Sequence, residues 1–373
     1  MNHDSRSNYK KVVMIGPSLK SKGGIASVVC AYRDAGLFQS WPVLYLNSHV
    51  EGSKAQKAIT VIVALATFIK MLVLGQVKLL HIHVPRRTAF WRKSLFIGLA
   101  YIFRCPVLVH LHSGGFPDFY WKECGTLKQR IVRFILNRAD RIIVLSSQWW
   151  DLLEGITANT RLVKIPNFMD VNNLPVKSLP DRNSVLFLGR LNKEKGFFDL
   201  LEVVASIRKK FPGVKLICGG EGDRREVGDC INRLEIFDNV ELLGWVEGAE
   251  KEALFQKATI FILPSYYEGL PMVVIEAMSR SIPVIATNVG GVPDIIENGR
   301  NGIMVEVGDV SAMAGAIESL LDNEAQRIKI AEAGRNTVFE CFSAQHTLPK
   351  LERLYEEFGV KPFLLSNRLV TSH

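Results

Sequence analysis

Twelve short runs rich in Val and Ile recur along 373 residues, separated by helix-length segments. In the first half they fall at 11–15, 43–47, 79–83, 106–110, 141–145 and 162–165. In the second half they fall at 184–188, 214–218, 240–243, 259–263, 282–286 and 302–305. Apolar runs of this kind mark strands covered on both faces, the condition of a parallel sheet. Parallel neighbours need crossover connections, which helices supply with a right-handed turn. The pattern therefore predicts an α/β chain of doubly wound sheets. Between 171 and 183 the text VNNLPVKSLPDRN has Pro175, Pro180 and several Asn without periodicity, and reads as a linker. The strand series then restarts. Two Rossmann-like domains follow, 1–175 and 176–345, facing across a cleft. A final helical pattern over 346–373 can cross back to the first domain. Ligands of such sheets bind at the carboxyl ends of the strands.

Composition enters through charge. The net charge is +9, yet residues 1–170 hold 23 Lys and Arg against 9 Asp and Glu, leaving the remainder mildly acidic. A basic first half calls for an anionic partner: a membrane, a phospholipid-linked substrate or nucleic acid. With 48% hydrophobic and 22% charged residues, a disordered chain is excluded. The six cysteines show no metal-ligand spacing. The polar start MNHDSRSNYKK does not read as a signal peptide, so reduced thiols in the cytoplasm are expected. Ala58 to Leu74 is apolar apart from Thr60, Thr67 and Lys70. A helix packed on a sheet is the expectation there, with a membrane-surface helix and then a true span, in which Lys70 would be costly, as the alternatives. Nearby, Arg86, Arg87, Arg92, Lys93 and Arg104 interleave with Phe90, Trp91, Phe96 and Tyr101, a mixture suited to an anionic lipid surface.

The sharpest chemistry lies in PSYYEGLPMVVIEAM, residues 264–278. It follows an expected strand, and Pro271 fits the first turn of a helix. Glu268 then precedes that helix and Glu276 lies within it. The backbone N–H groups of Gly269, Leu270, Pro271's neighbour Met272, and Val273 sit at a helix start, which attracts phosphate. Arg190 and Lys195 follow another strand end, where two cations neutralise a diphosphate leaving group as a metal would. Gly23 and Gly24 follow strand one and permit close approach to phosphate. His81 with His83, and His110 with His112, form H-x-H pairs whose members share a sheet face. No carboxylate cluster accompanies them, so buried strand histidines are expected for the first three rather than a metal site.

These elements resemble the retaining GT-B glycosyltransferases of family 4, the glycosyl transferases group 1 of bacterial surface-polysaccharide type. The Glu268–Glu276 spacing is similar to that family's E-x7-E signature. Gly189, Arg190, Lys195 and Gly196 match its G-R-x-x-x-x-K-G element. Gly219, Gly220 and Gly222 resemble its G-x-G loop, and Gly290, Gly291 and Asp294 its G-G-x-x-E/D segment. His112 resembles its strand-end histidine. The resemblance implies a nucleoside-diphosphate-sugar donor, UDP-sugar favoured, held by Gly23, Gly24, Gly189, Arg190, Lys195, Gly220, the Glu268–Val273 stretch and Glu276. In it Glu276 bonds the ribose, Glu268 contacts the donor sugar, and His112 bonds the sugar or its developing charge. Glu268, His112, Arg190 and Lys195 are the implied catalytic set, with no metal and no further cofactor. A lipid-linked saccharide in exopolysaccharide, O-antigen or capsule synthesis is the expected acceptor, at the inner face of the cytoplasmic membrane. An epimerase or hydrolase of UDP-sugars and a non-catalytic GT-B scaffold are the alternatives. The chain lacks a D-x-D loop, a P-loop, a G-x-G-x-x-G after strand one and a G-x-S-x-G elbow, which lowers phosphoryl and hydride transfer. No nucleic-acid motif accompanies the basic residues.

Overall fold

A computed structural model describes residues 10–172, 174 and 183–363. The chain forms two units, Met1–Asp170 with Ala344–His373, and Val171–Ser343. The expected boundary between 175 and 176, and most of the expected linker, lie outside the described residues.

In the first unit, β1 (Lys11–Gly16), β2 (Val43–Asn47), β3 (Val77–Val84), β4 (Val107–Leu111), β5 (Arg141–Val144) and β6 (Leu162–Lys164) build one sheet. Its order is β2-β1-β3-β4-β5-β6, parallel throughout. Side chains alternate between its faces. Leu80, Ile82 and Val84 of β3 join a core with Phe68, Phe96 and Val132, which come from helices Lys54–Val73, Thr88–Ile102 and Thr126–Arg138. His81 and His83 point to the opposite face, where His83 meets Tyr32 of helix Gly24–Asp34. Helix Ala344–Glu357 closes that face. His81 Nδ1 hydrogen-bonds the Tyr355 hydroxyl (2.8 Å), and Trp41 Nε1 donates to Glu352 (2.9 Å).

Helix Lys54–Val73 starts four residues earlier than the apolar run, because Ser53 and Gln56 form a reciprocal capping box. It buries Ala64, Phe68, Met71 and Leu72 against the sheet. By length and composition it is also apolar enough to cross a membrane. The expectation of a lipid-facing mixture over residues 86–104 is corrected for Phe90, Phe96 and Lys93, while Trp91 and Tyr101 are half-buried and Arg104 is exposed. Phe90, Phe96 and Lys93 are buried, and Arg87 pairs with Glu123 (2.6 Å). The rings follow the inward stripe of helix Thr88–Ile102, so their spacing served the core.

In the second unit, β7 (Ser184–Leu188), β8 (Lys215–Gly219), β9 (Val240–Gly244), β10 (Ile260–Leu263), β11 (Val284–Thr287) and β12 (Ile303–Val305) build a second parallel sheet. Its order is β12-β11-β10-β7-β8-β9. The chain winds outward from β7 to β9, then returns beside β7 as β10. The order therefore reverses between β7 and β10. Loops leaving two such strands diverge and open a crevice at their carboxyl ends.

Candidate functional site

The loops after β7 and β10 meet at that reversal. Gly196 ends the β7 loop at φ 64°, and a Cβ there would lie 1.9 Å from the Pro264 carbonyl oxygen. Only glycine permits this approach. The Tyr266 amide donates to the Glu194 carbonyl (2.9 Å), which ties the loops together. Asn192 accepts from the Lys195 amide (3.0 Å) and fixes the turn that lifts the lysine. Lys195 Nζ then donates to Glu268 Oε1 at 2.6 Å. Ser265 Oγ donates to the same oxygen at 2.7 Å. Glu268 is buried at 9% exposure, whereas the Lys195 side chain keeps 29%. The cation can therefore meet an incoming anion without leaving a carboxylate unpartnered, because Ser265 stays on it.

Glycine at 290 sets the backbone behind Glu268. It has φ 56°, and a Cβ would stand 1.9 Å from the Glu268 carbonyl oxygen. The Gly291 amide donates to the Gly269 carbonyl (2.7 Å), and Thr287 Oγ1 donates to the Ser265 carbonyl. The loop after β11 thus clamps Gly269 and Glu268 from below. Gly189 donates to the Gly219 carbonyl (3.0 Å), tying the β7 loop to the end of β8, and Gly220 to Gly244 (2.6 Å), tying the β8 loop to the end of β9.

Helix Met272–Ser279 begins directly after Pro271, which occupies the N-cap at φ −72°, ψ 115° rather than the first turn. An extended ψ is what a cap position requires. No side chain caps this helix, so the positive end of its dipole has no side-chain acceptor at its start. Leu270 and Met272 are buried and Val273 is half-buried. Glu276 is half-buried on the helix and accepts from Lys251 Nζ (2.6 Å). Arg190 is exposed on the β7 loop. The structure therefore joins Lys195 to Glu268 directly, pairs Glu276 with Lys251 and leaves Arg190 exposed to solvent. Asn192 and Lys251 went unnoticed in the sequence, and Ser265 was read only as part of the loop before Glu268. Asn192, three residues before Lys195, was readable as a local cap. Lys251 gave no signal, being set by the tertiary fold.

In the first unit, Gly23 has φ 150° and precedes helix Gly24–Asp34, whose start carries no side-chain cap. His112 follows β4 and shares a hydrogen bond with His83 through Nε2 and Nδ1 (2.7 Å). Burial, with His81 and Lys93 nearby, pushes His112 down to about 3. Burial alone pushes His81 down to about 3. His81, His83 and His110 are fully buried, and one ligand nitrogen from each lies within 4.8 Å of the others. Among the described residues no carboxylate joins this trio. Three neutral imidazoles offer a dication ligands but no compensating charge.

Two parallel six-stranded sheets of Rossmann type, the second with an anion-ready helix start beside a lysine–glutamate pair, define the GT-B class of fold. Residues 172–337, which fall within the second unit, match the family described as glycosyl transferases group 1. A capsular polysaccharide biosynthesis glycosyltransferase, CapM of Staphylococcus aureus, is 30% identical over 236 residues, covering 62% of this chain and 60% of the relative. The chain spans 43–65% of the length of the curated relatives it matches. Among solved structures, sucrose-phosphate synthase of Thermosynechococcus elongatus has a TM-score of 0.79 at 21% identity, over 94% of this chain and 99% of that one. HepE of Anabaena, solved with UDP-glucose, has a TM-score of 0.72 at 20% identity, over 93% and 99%. At these identities the structural likeness concerns the fold.

Proposed function

We propose that this chain transfers a sugar from a nucleoside-diphosphate sugar to an acceptor hydroxyl, with retention at the anomeric carbon and without a metal. The observation that carries the reading is the Lys195–Glu268–Ser265 cluster at the strand-order reversal of a glycosyl transferases group 1 unit. As the glycosidic bond breaks, negative charge grows on the diphosphate and positive charge on the sugar. Lys195 and Arg190 stabilise the first, with the amides of helix Met272–Ser279 beside them. Glu268 accepts hydrogen bonds from the sugar hydroxyls, and Glu276 from the ribose. The departing diphosphate oxygen takes the acceptor proton, so no dedicated protein base is needed. Gly23, Gly24 and His112 keep the donor-binding roles that the family resemblance gives them. UDP-sugar is the favoured donor, supported by the UDP-glucose bound to HepE. A lipid-linked saccharide is the favoured acceptor, in surface-polysaccharide synthesis at the cytoplasmic face of a membrane, supported by the capsular relative.

The test is isothermal titration with UDP, GDP, ADP and CMP, with and without EDTA, on the native chain and on Arg190→Ala and Glu276→Ala. Metal-independent binding of one nucleoside diphosphate, lost in both variants, is expected. Absence of binding to all four would overturn the donor site and leave a scaffold. Consumption of UDP-sugar without any acceptor would instead identify a hydrolase or epimerase.

A further inference from the structure

The helical layer of the first unit carries an outer face that is apolar and cationic together. Helix Lys54–Val73 has a second apolar stripe, opposite its buried one, which leaves Ile62 and Val73 at 63% and 66% exposure. On helix Thr88–Ile102, Leu95 and Ile102 are exposed, the latter at 75%. On helix Thr126–Arg138, Leu127 and Phe134 are exposed at 71% and 57%. The three helices are neighbours. Phe68 and Phe96 rings sit 5.9 Å apart, and Tyr101 and Phe134 rings 6.2 Å apart. Exposed apolar surface extended over three elements marks an interaction site.

Charge selects the occupant. No acidic residue occurs between Glu51 and Asp118, nor between Glu123 and Asp140. Lys54, Lys70, Arg104, Lys128 and Arg130 are exposed on or beside these helices. A second copy of the same face would set like charge against like charge, because a twofold contact matches a patch with itself. Protein interface cores are also poor in lysine. Nucleic acid would suit the cations but not the exposed Ile, Leu and Val. An anionic bilayer suits both, since aliphatic side chains enter the acyl boundary while ammonium and guanidinium groups reach the headgroups.

We propose that this three-helix face seats on an anionic lipid surface, with helix Lys54–Val73 lying in the interface. Crossing the bilayer would withdraw Phe68, which is wholly buried against the sheet. The proposal supplies a contact surface for the membrane location given above and does not depend on sugar transfer.

The experiment is co-sedimentation of the full chain with phosphatidylcholine vesicles and with vesicles that also contain phosphatidylglycerol. Binding to the anionic vesicles, weakened by salt, is expected, with little binding to neutral ones. Lys128→Ala with Arg130→Ala should lower partitioning by roughly tenfold. Leu127→Ser with Phe134→Ser should abolish it while thermal melting and nucleotide titration stay unchanged. Should that variant unfold, Ile62→Ser with Ile102→Ser replaces it. Absence of vesicle binding overturns the proposal, as does binding that the apolar variants leave intact. Self-association in light scattering that Phe134→Ser removes, without vesicle binding, would assign the face to a second copy instead. Loss of nucleotide binding in the native chain bears only on the donor site.

Discussion

Lys195 and Glu268 stand 2.6 Å apart in the second unit although 73 positions separate them in the chain. A lysine that leaves a buried carboxylate for a diphosphate exchanges one charged partner for another, so its affinity contribution depends on Ser265 remaining with Glu268. Lys195→Ala should weaken UDP binding by about tenfold to a hundredfold, read by titration, since a charged hydrogen bond contributes about 1.5–3 kcal/mol. Glu268→Gln should instead lower kcat by about a hundredfold or more, with UDP affinity nearly unchanged. An equal loss of UDP affinity in both variants would assign Glu268 to holding the lysine alone. Gly290→Ala forces a Cβ against the Glu268 carbonyl at φ 56°, and should destabilise the unit by about 1–3 kcal/mol while reducing turnover. A melt and an activity assay on one preparation separate the two effects. At this scale motif spacing announced Glu268, Glu276, Arg190 and Lys195. It could not announce which would touch. The pairing arises because β10 returns beside β7, a fact of sheet order rather than of local sequence.

Elements were more legible. Each of the twelve apolar runs became a strand; the inner ones are covered on both faces and have no polar face to blur their pattern, whereas the edge strands β2 and β9 stay partly exposed. Ends moved by a residue or two, as for Val77–Val84 against the run at 79–83. The start of helix Lys54–Val73 was written in Ser53 and Gln56 as a capping box, a signal that hydropathy alone passes over. The opposite failure concerns Lys93. It lies buried with its Nζ donating to Ser48 Oγ, and no local rule buries a lysine. The last helix, Ala344–Glu357, contributes Leu351, Leu354 and Tyr355 to the first unit. Tyr355→Phe removes the partner of a buried imidazole nitrogen and should lower stability by about 1 kcal/mol in urea unfolding. No change would mean that water replaces the hydroxyl there.

The whole molecule should respond to acid before its carboxylates titrate. His81, His83 and His110 are held neutral by burial, with His81 pushed down to about 3. Unfolded histidine takes up a proton near 6.5. Below that pH the unfolded state binds more protons, so stability falls by about 1.4 kcal/mol per pH unit for each such histidine, and for His81 the fall continues down toward 3. Above 6.5 these groups cost nothing. The urea midpoint should therefore drop between pH 7 and 5, and His81→Gln should flatten the slope. A flat profile in the native chain would mean that these rings are solvated. The division of the first unit into two sequence segments has a consequence for how the chain is made. A ribosome delivers residues up to 170 and then the entire second unit before the strip that completes the first sheet's cover. At roughly 5–20 residues per second, that is a wait of about ten to thirty seconds with His81 and Trp41 uncovered. The second unit, contiguous in sequence, can finish first. Protease challenge of stalled nascent chains should find it resistant while the earlier-made unit is still cut.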